Sequence, residues 1–132
     1  MKINSEQEMM DFGESFCDKN IIELIGDVGT GKTTFVRGLA KGLGVKENIT
    51  SPSFTISKVY ACSDGRTLIH YDFYRLDDPG LLVEDLEENL KNPNNIVAIE
   101  WSDTVKDVLP KDHTVINIKY NDDGSREAEE IR

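Results

Sequence analysis

Gly26, Gly31, Lys32 and Thr33 stand in the order G-x-x-x-x-G-K-[ST] within IIELIGDVGTGKTTFVRGL, residues 21–39. Each residue type answers a chemical need. Glycines let a backbone wrap closely around phosphate oxygens and turn its N–H groups inward as an anion nest. A helix starting near Lys32 aims the positive end of its dipole at the same phosphates. The lysine ammonium suits the β- and γ-phosphates, and the threonine hydroxyl suits Mg²⁺. At background residue frequencies the pattern arises by chance in about one chain in a few hundred of this length. It also has the right surroundings. Ile21 to Ile25 is a β-branched run that reads as a buried strand, and Phe35, Val36, Leu39, Ala40 and Leu43 share one face of a following helix. The loop points to a bound nucleoside phosphate.

Such a loop needs acids to hold a metal and to position a nucleophile. Asp72 ends TLIHY and Glu100 ends IVAI, so both close apolar strands. In an open parallel sheet ligands sit outside the carboxyl ends of the strands, and both acids can then face the phosphates. Spacing alone does not divide the roles between them. Thr50, Ser51, Ser53 and Thr55 lie just after the loop helix, where nucleotide switches place a hydroxyl that senses the γ-phosphate; an ordinary helix-to-strand turn would use the same residues. Arg75 suits a phosphate clamp or a surface ion pair. His70 and His113 are isolated in the sequence and read as polar strand residues. Trp101 suits stacking on a base or partner, and equally a place in the core.

These residues require a frame. Met9, Phe12, Phe16 and Cys17 recur at helical spacing, with Ser5 and Glu8 as a capping box. Gly44 is placed to close the loop helix as a left-handed cap. Residues 49–60 turn and become a strand, Asp64-Gly65 makes a hairpin connection to TLIHYDFY, and Asp78-Pro79 opens a helix carrying Leu82, Leu86 and Leu90 on one stripe. IVAIEW and TVINIKY read as further strands, and SREAEEIR as a polar edge strand or tail. Helices interleaved with apolar strands predict an α/β fold: a three-layer P-loop NTPase-like architecture with a mostly parallel central sheet, of minimal size and without a lid domain. Residues 1–132 are expected to form one domain.

Composition limits the use of the nucleotide. With 15 basic and 25 acidic residues the net charge is −10, which repels polyphosphate backbones, so any RNA is expected to be held by a partner. No apolar run reaches the length of a membrane span, and the first residues lack the apolar core of a signal peptide. Cys17 and Cys62 lack metal or redox spacing, which fits a reducing cytoplasm. There is no arginine-rich lid segment of the kind small-molecule kinases carry, and no N-K-x-D element for reading guanine. A minimal core of this kind suits coupling ATP hydrolysis to an assembly or conformational step.

The ordered blocks GDVGTGKTTFVRGL, SPSFT, HYDFYRLDDP and EWSD resemble the TsaE (YjeE) family over nearly the whole chain. Members of that family are bacterial ATPases required for threonylcarbamoyladenosine on transfer RNA. The resemblance implies ATP binding by Gly29, Thr30, Gly31, Lys32, Thr33 and Thr34, with Thr33 and Glu100 as Mg²⁺ ligands and Trp101 beside them. It assigns Asp72 to ATP hydrolysis, Ser51 to Thr55 to a switch-like segment, and Arg126 to the neighbourhood of the nucleotide. It also implies weak activity alone and work with the TsaB and TsaD proteins, tRNA being reached only through that complex. Ser53 replaces a usual Thr, Phe73 a usual Leu, and Met9 stands near a place where a Thr often lies by the adenine. Two other readings stay open: a small-molecule kinase, and a nucleotide-dependent binding module that does not hydrolyse.

Overall fold

Ile21–Ile25, Thr67–Asp72 and Asn95–Glu100 are almost continuously apolar, as strands covered on both faces must be. In a computed structural model, which describes residues 1–27, 29–50, 57–74 and 80–131, these three are neighbours at the centre of one sheet. In chain order the elements are β1 (Lys2–Ile3), α1 (Glu6–Glu14), β2 (Ile21–Ile25), α2 (Lys32–Gly42), β3 (Ser57–Ala61), β4 (Thr67–Asp72), α3 (Leu81–Lys91), β5 (Asn95–Glu100), β6 (Thr114–Tyr120) and β7 (Arg126–Ile131). Two 3₁₀ turns, Ser102–Thr104 and Lys106–Val108, follow β5.

The sheet runs β1-β7-β6-β2-β5-β4-β3. Its four central strands, β6, β2, β5 and β4, are mutually parallel, whereas β3, β7 and β1 are added antiparallel at the two sides. Helices α1 and α2 cover one face, around Leu24, Phe35, Leu39, Leu68, Ile96 and Ile116. Helix α3 and the 3₁₀ turns cover the other, around Tyr71, Leu86, Ile99 and Val105. This is the three-layer α/β arrangement with a parallel centre. Among the described residues no helix is long and apolar enough to cross a membrane.

The local signals act as their chemistry demands. The Ser5 hydroxyl accepts the Glu8 amide at 3.1 Å, while the Glu8 carboxylate takes the Asn4 amide instead of that of Ser5. Gly44 closes α2 at φ 76°. Asp64-Gly65 joins the antiparallel pair β3 and β4. One expectation needs correction. The segment 126–131, read as an edge or tail, lies between β6 and β1, because Ala128 is buried in the core and the short strand β1 pairs outside it. The expected helix start at Asp78-Pro79 lies outside the described residues; within them the helix begins at Leu81 after Gly80. The Ser51–Thr55 segment and Arg75 also lie outside them.

Helices α1 and α2 approach through glycine. A Cβ on Gly38 would stand 1.9 Å from the carbonyl oxygen of Met10, and one on Gly13 would stand 2.1 Å from that of Phe35. Each helix thus seats a glycine on the other's backbone, and Met9 of α1 comes close to Gly31 at the start of α2.

Candidate functional site

The parallel strands end together. Leu24 pairs with Glu100 across β2 and β5, and Glu100 pairs with Asp72 across β5 and β4, so both acids stand at the carboxyl edge beside the loop that leaves β2. Both are buried. The loop passes through Gly29 and Gly31 at φ 83° and 109°, a region that L side chains rarely occupy, and Gly31 caps α2. Among the described residues no side chain caps this helix, and no acid lies in its first turn, a start that suits an anion at its free amides.

Lys32, the first residue of α2, is only 5% exposed although it is a lysine. Its Nζ donates to the Gly26 carbonyl and lies 3.9 Å from the centroid of the Trp101 ring. Burial pushes the ammonium below the usual lysine value, against the pull of Glu100, Asp72 and Asp27. Burial likewise raises the Asp72 carboxyl above its usual range, against the Tyr74 amide that donates to it at 2.9 Å. Lys32, Asp72 and Glu100 therefore form a compact charged group in a poorly solvated setting, where electrostatic effects on a phosphoryl group are strong.

The loop is braced from the far side of the sheet. Arg126 on β7 donates from Nε to the Thr30 carbonyl and from Nη2 to the Gly29 carbonyl, both at 3.3 Å, and stacks on Tyr120 at 4.5 Å. The Tyr120 hydroxyl also donates to the Gly29 carbonyl. Alongside lies a cavity of about 200 Å³ bounded by Ser5 and Met9 of the α1 region, by Gly29, Gly31 and Thr34, and by Arg126. Thus Gly29, Thr30, Gly31, Thr34 and Arg126 border one concavity, while Lys32 at the start of α2 interacts with Asp72 and Glu100 at the strand ends. Thr33 occupies the second position of α2.

The residues suit a magnesium nucleotide. Among the described residues no three His, Cys, Asp or Glu side chains converge into an all-protein metal cage. Mg²⁺ seldom uses one; it takes one or two carboxylates, a hydroxyl, phosphates and water. Glu100 and Thr33 are residues of the types that such a donor set would draw on.

The model of the family described as "Threonylcarbamoyl adenosine biosynthesis protein TsaE" matches residues 3–128. The chain belongs to the TsaE family. It is 42% identical to a TsaE of a Nostoc species over 121 residues, covering 89% of this chain and 73% of that protein. A Haemophilus influenzae TsaE is 35% identical over 134 residues, covering 92% and 82% respectively. The crystal structure of Bacillus subtilis YdiB superposes with a TM-score of 0.78 at 31% identity, covering 97% of this chain and 80% of that one.

In this TsaE-family chain both histidines prove to be partnered. His70 on β4 contacts the Glu100 carboxylate through Nε2, and His113 contacts Glu23 through Nε2 at 2.8 Å. They look isolated in the sequence because their partners are 30 and 90 residues away and meet them only through strand order. Trp101 is neither a plain core residue nor a surface one. It is half-buried at φ 56°, over Lys32 and beside Tyr74 at 4.7 Å.

Glu23 is a residue the sequence reading passed over, an acid within an apolar run of β2. It is 3% exposed and accepts hydrogen bonds from Ser102, from Lys106 at 3.1 Å and from His113. It thereby clamps the segment that carries Trp101 onto the sheet. Burial alone would raise its pKa, but the bonds from Ser102, His113 and Lys106 hold it below the usual carboxylate range. A depressed carboxylate adds stability above its unfolded pKa, and that stability is lost as pH falls through the folded value. Glu23→Gln should therefore cost about 1–3 kcal/mol at pH 7. The gap in melting temperature from the parent protein should close as the pH is lowered below the ordinary glutamate value of about 4.3. Equal gaps at pH 7 and at low pH would refute the clamp.

Proposed function

We propose that this chain is a Mg²⁺-dependent ATPase that supports tRNA threonylcarbamoyladenosine biosynthesis in the cytoplasm by acting on a TsaB–TsaD complex. The observation that carries the reading is the meeting of Lys32, Asp72 and Glu100 at the carboxyl edge of parallel strands, beside a glycine loop that opens α2. The loop amides and Lys32 bind and orient the β- and γ-phosphates, and Arg126 and Tyr120 keep the loop in place. Thr33 and Glu100 would hold Mg²⁺, which supplies charge neutralisation on the transferred phosphoryl group. Asp72, whose proton affinity is raised by burial, is suited to accept a proton from the attacking water. The cavity beside Ser5, Met9 and Thr34 would take the nucleoside. The net charge of −10 agrees with tRNA being held by the partners.

The test is phosphate release from Mg·ATP by the chain alone and with purified TsaB and TsaD. Slow release that rises on adding the pair is the expected result. Stimulation by a metabolite and not by the proteins would instead indicate a kinase. Tight ATP binding without release in any mixture would indicate a binding module.

A further inference from the structure

His70 is completely buried, and its Nδ1 has no hydrogen-bond partner among the described residues. Leaving a polar atom so placed costs about 1–3 kcal/mol. For packing alone a leucine would serve better, as Leu68 does two residues earlier on the same strand face. The other ring nitrogen explains what is gained, since Nε2 lies against Oε2 of Glu100. Register makes the contact possible. His70 pairs with Ala98 on β5, whose small side chain leaves room for the imidazole, and two residues further on Asp72 pairs with Glu100. With Nδ1 unpartnered, the arrangement calls for the tautomer in which Nε2–H donates to the carboxylate. That bond ties down one carboxylate oxygen. The second oxygen of Glu100 makes no hydrogen bond among the described residues.

We propose that His70 is a positioning residue: by holding Oε2 of Glu100 it presents the second carboxylate oxygen to the metal and phosphate site. This rests on the ATPase reading above. A ligating carboxylate left without its outer partner can rotate, and loss of such partners typically costs about 10–100-fold in metal affinity or activity. His70 is completely buried, and the contact it makes toward the site is with the Glu100 carboxylate.

Two substitutions divide orientation from packing. His70→Leu fills much of the volume without a donor, and His70→Gln returns an N–H near the ε position. His70→Leu should lower kcat for ATP hydrolysis about tenfold or more and raise the Mg²⁺ concentration for half-maximal rate, with little change in KM for ATP. His70→Gln should recover most of both. Mn²⁺ affinity in the presence of a non-hydrolysable ATP analogue, read by electron paramagnetic resonance, should follow the same order without needing turnover. Wild-type kcat and metal dependence in folded His70→Leu would overturn the proposal. So would equal losses in both variants accompanied by equal drops in melting temperature. If the parent protein neither binds nor hydrolyses ATP, the ATPase reading fails by itself. Crystal structures of parent and His70→Leu then judge the positioning: a rotated Glu100 carboxylate supports it and an unmoved one refutes it.

Discussion

Lys32→Ala is expected to reduce ATP hydrolysis by about 10²–10³-fold, the scale on which one preorganised electrostatic group acts at a reacting centre. Lys32 is the cation of the charged group. It sits at the start of α2, reaches the Gly26 carbonyl and faces Asp72, Glu100 and Asp27. Its removal leaves the two buried acids opposite the incoming phosphates without a counter-charge, so nucleotide affinity should fall as well. A charged hydrogen bond is worth about 1.5–3 kcal/mol, which corresponds to a weakening of about ten- to a hundredfold. Lys32→Met, which keeps an unbranched stem in this buried position but loses the Nζ that lies over Trp101, should lose turnover almost as fully as alanine while disturbing the fold less. Phosphate release and calorimetric titration with Mg·ATP check both expectations. Undiminished turnover in either variant would remove the catalytic reading of the loop.

Gly38→Ala should be the most destabilising of the conservative changes considered, by about 3 kcal/mol or more, through forced separation of packed elements. In an exposed helix the same change gains about 1 kcal/mol from propensity. Here the added carbon would lie 1.9 Å from the Met10 oxygen, 2.5 Å from its carbonyl carbon and 2.6 Å from its Cα, all backbone atoms of α1. No side chain can swing aside, so α1 must lift off α2. Gly65→Ala is the comparison. Its Cβ meets nothing within 4 Å, and only the φ of +89° opposes it, a cost of about 1–2 kcal/mol. Thermal unfolding of the two variants should place Gly38→Ala well below Gly65→Ala. Because Ser5 and Met9 line the cavity from α1, Gly38→Ala should also weaken nucleotide binding. Equal melting of the two variants would mean that the helices tolerate separation.

The loop was legible because its chemistry is local. Glycines, lysine and threonine lie within eight residues, and the strand before and the helix after declare themselves by period. Asp72 and Glu100 could be recognised as strand ends, yet their adjacency depends on β4 and β5 being parallel neighbours in one particular register. The same dependence hid the partners of His70 and His113. β7 was misread for another reason. Glu127, Glu129 and Glu130 look like a solvated edge, and the only apolar residue they bracket that enters the core is Ala128. Its neighbour β1 is two residues long and carries no strand signal of its own. Glu23 was passed over because an acid within IIELI looks like an interruption until Ser102, Lys106 and His113 are brought to it.

The pairing of β1 with β7 has a bearing on the order of events during synthesis. Ile3 lies opposite Arg126, so two strands more than a hundred residues apart along the chain hold one another. The wall of the cavity is divided in the same way, with Ser5 and Met9 on one side and Arg126 on the other. A ribosome-bound chain can fold β2, the loop and α2 early, since these elements are contiguous. It would still lack the arginine that grips the Gly29 and Thr30 carbonyls. Competence to retain nucleotide should then arise late and abruptly, when β7 emerges and closes on a strand that has waited for more than a hundred residues.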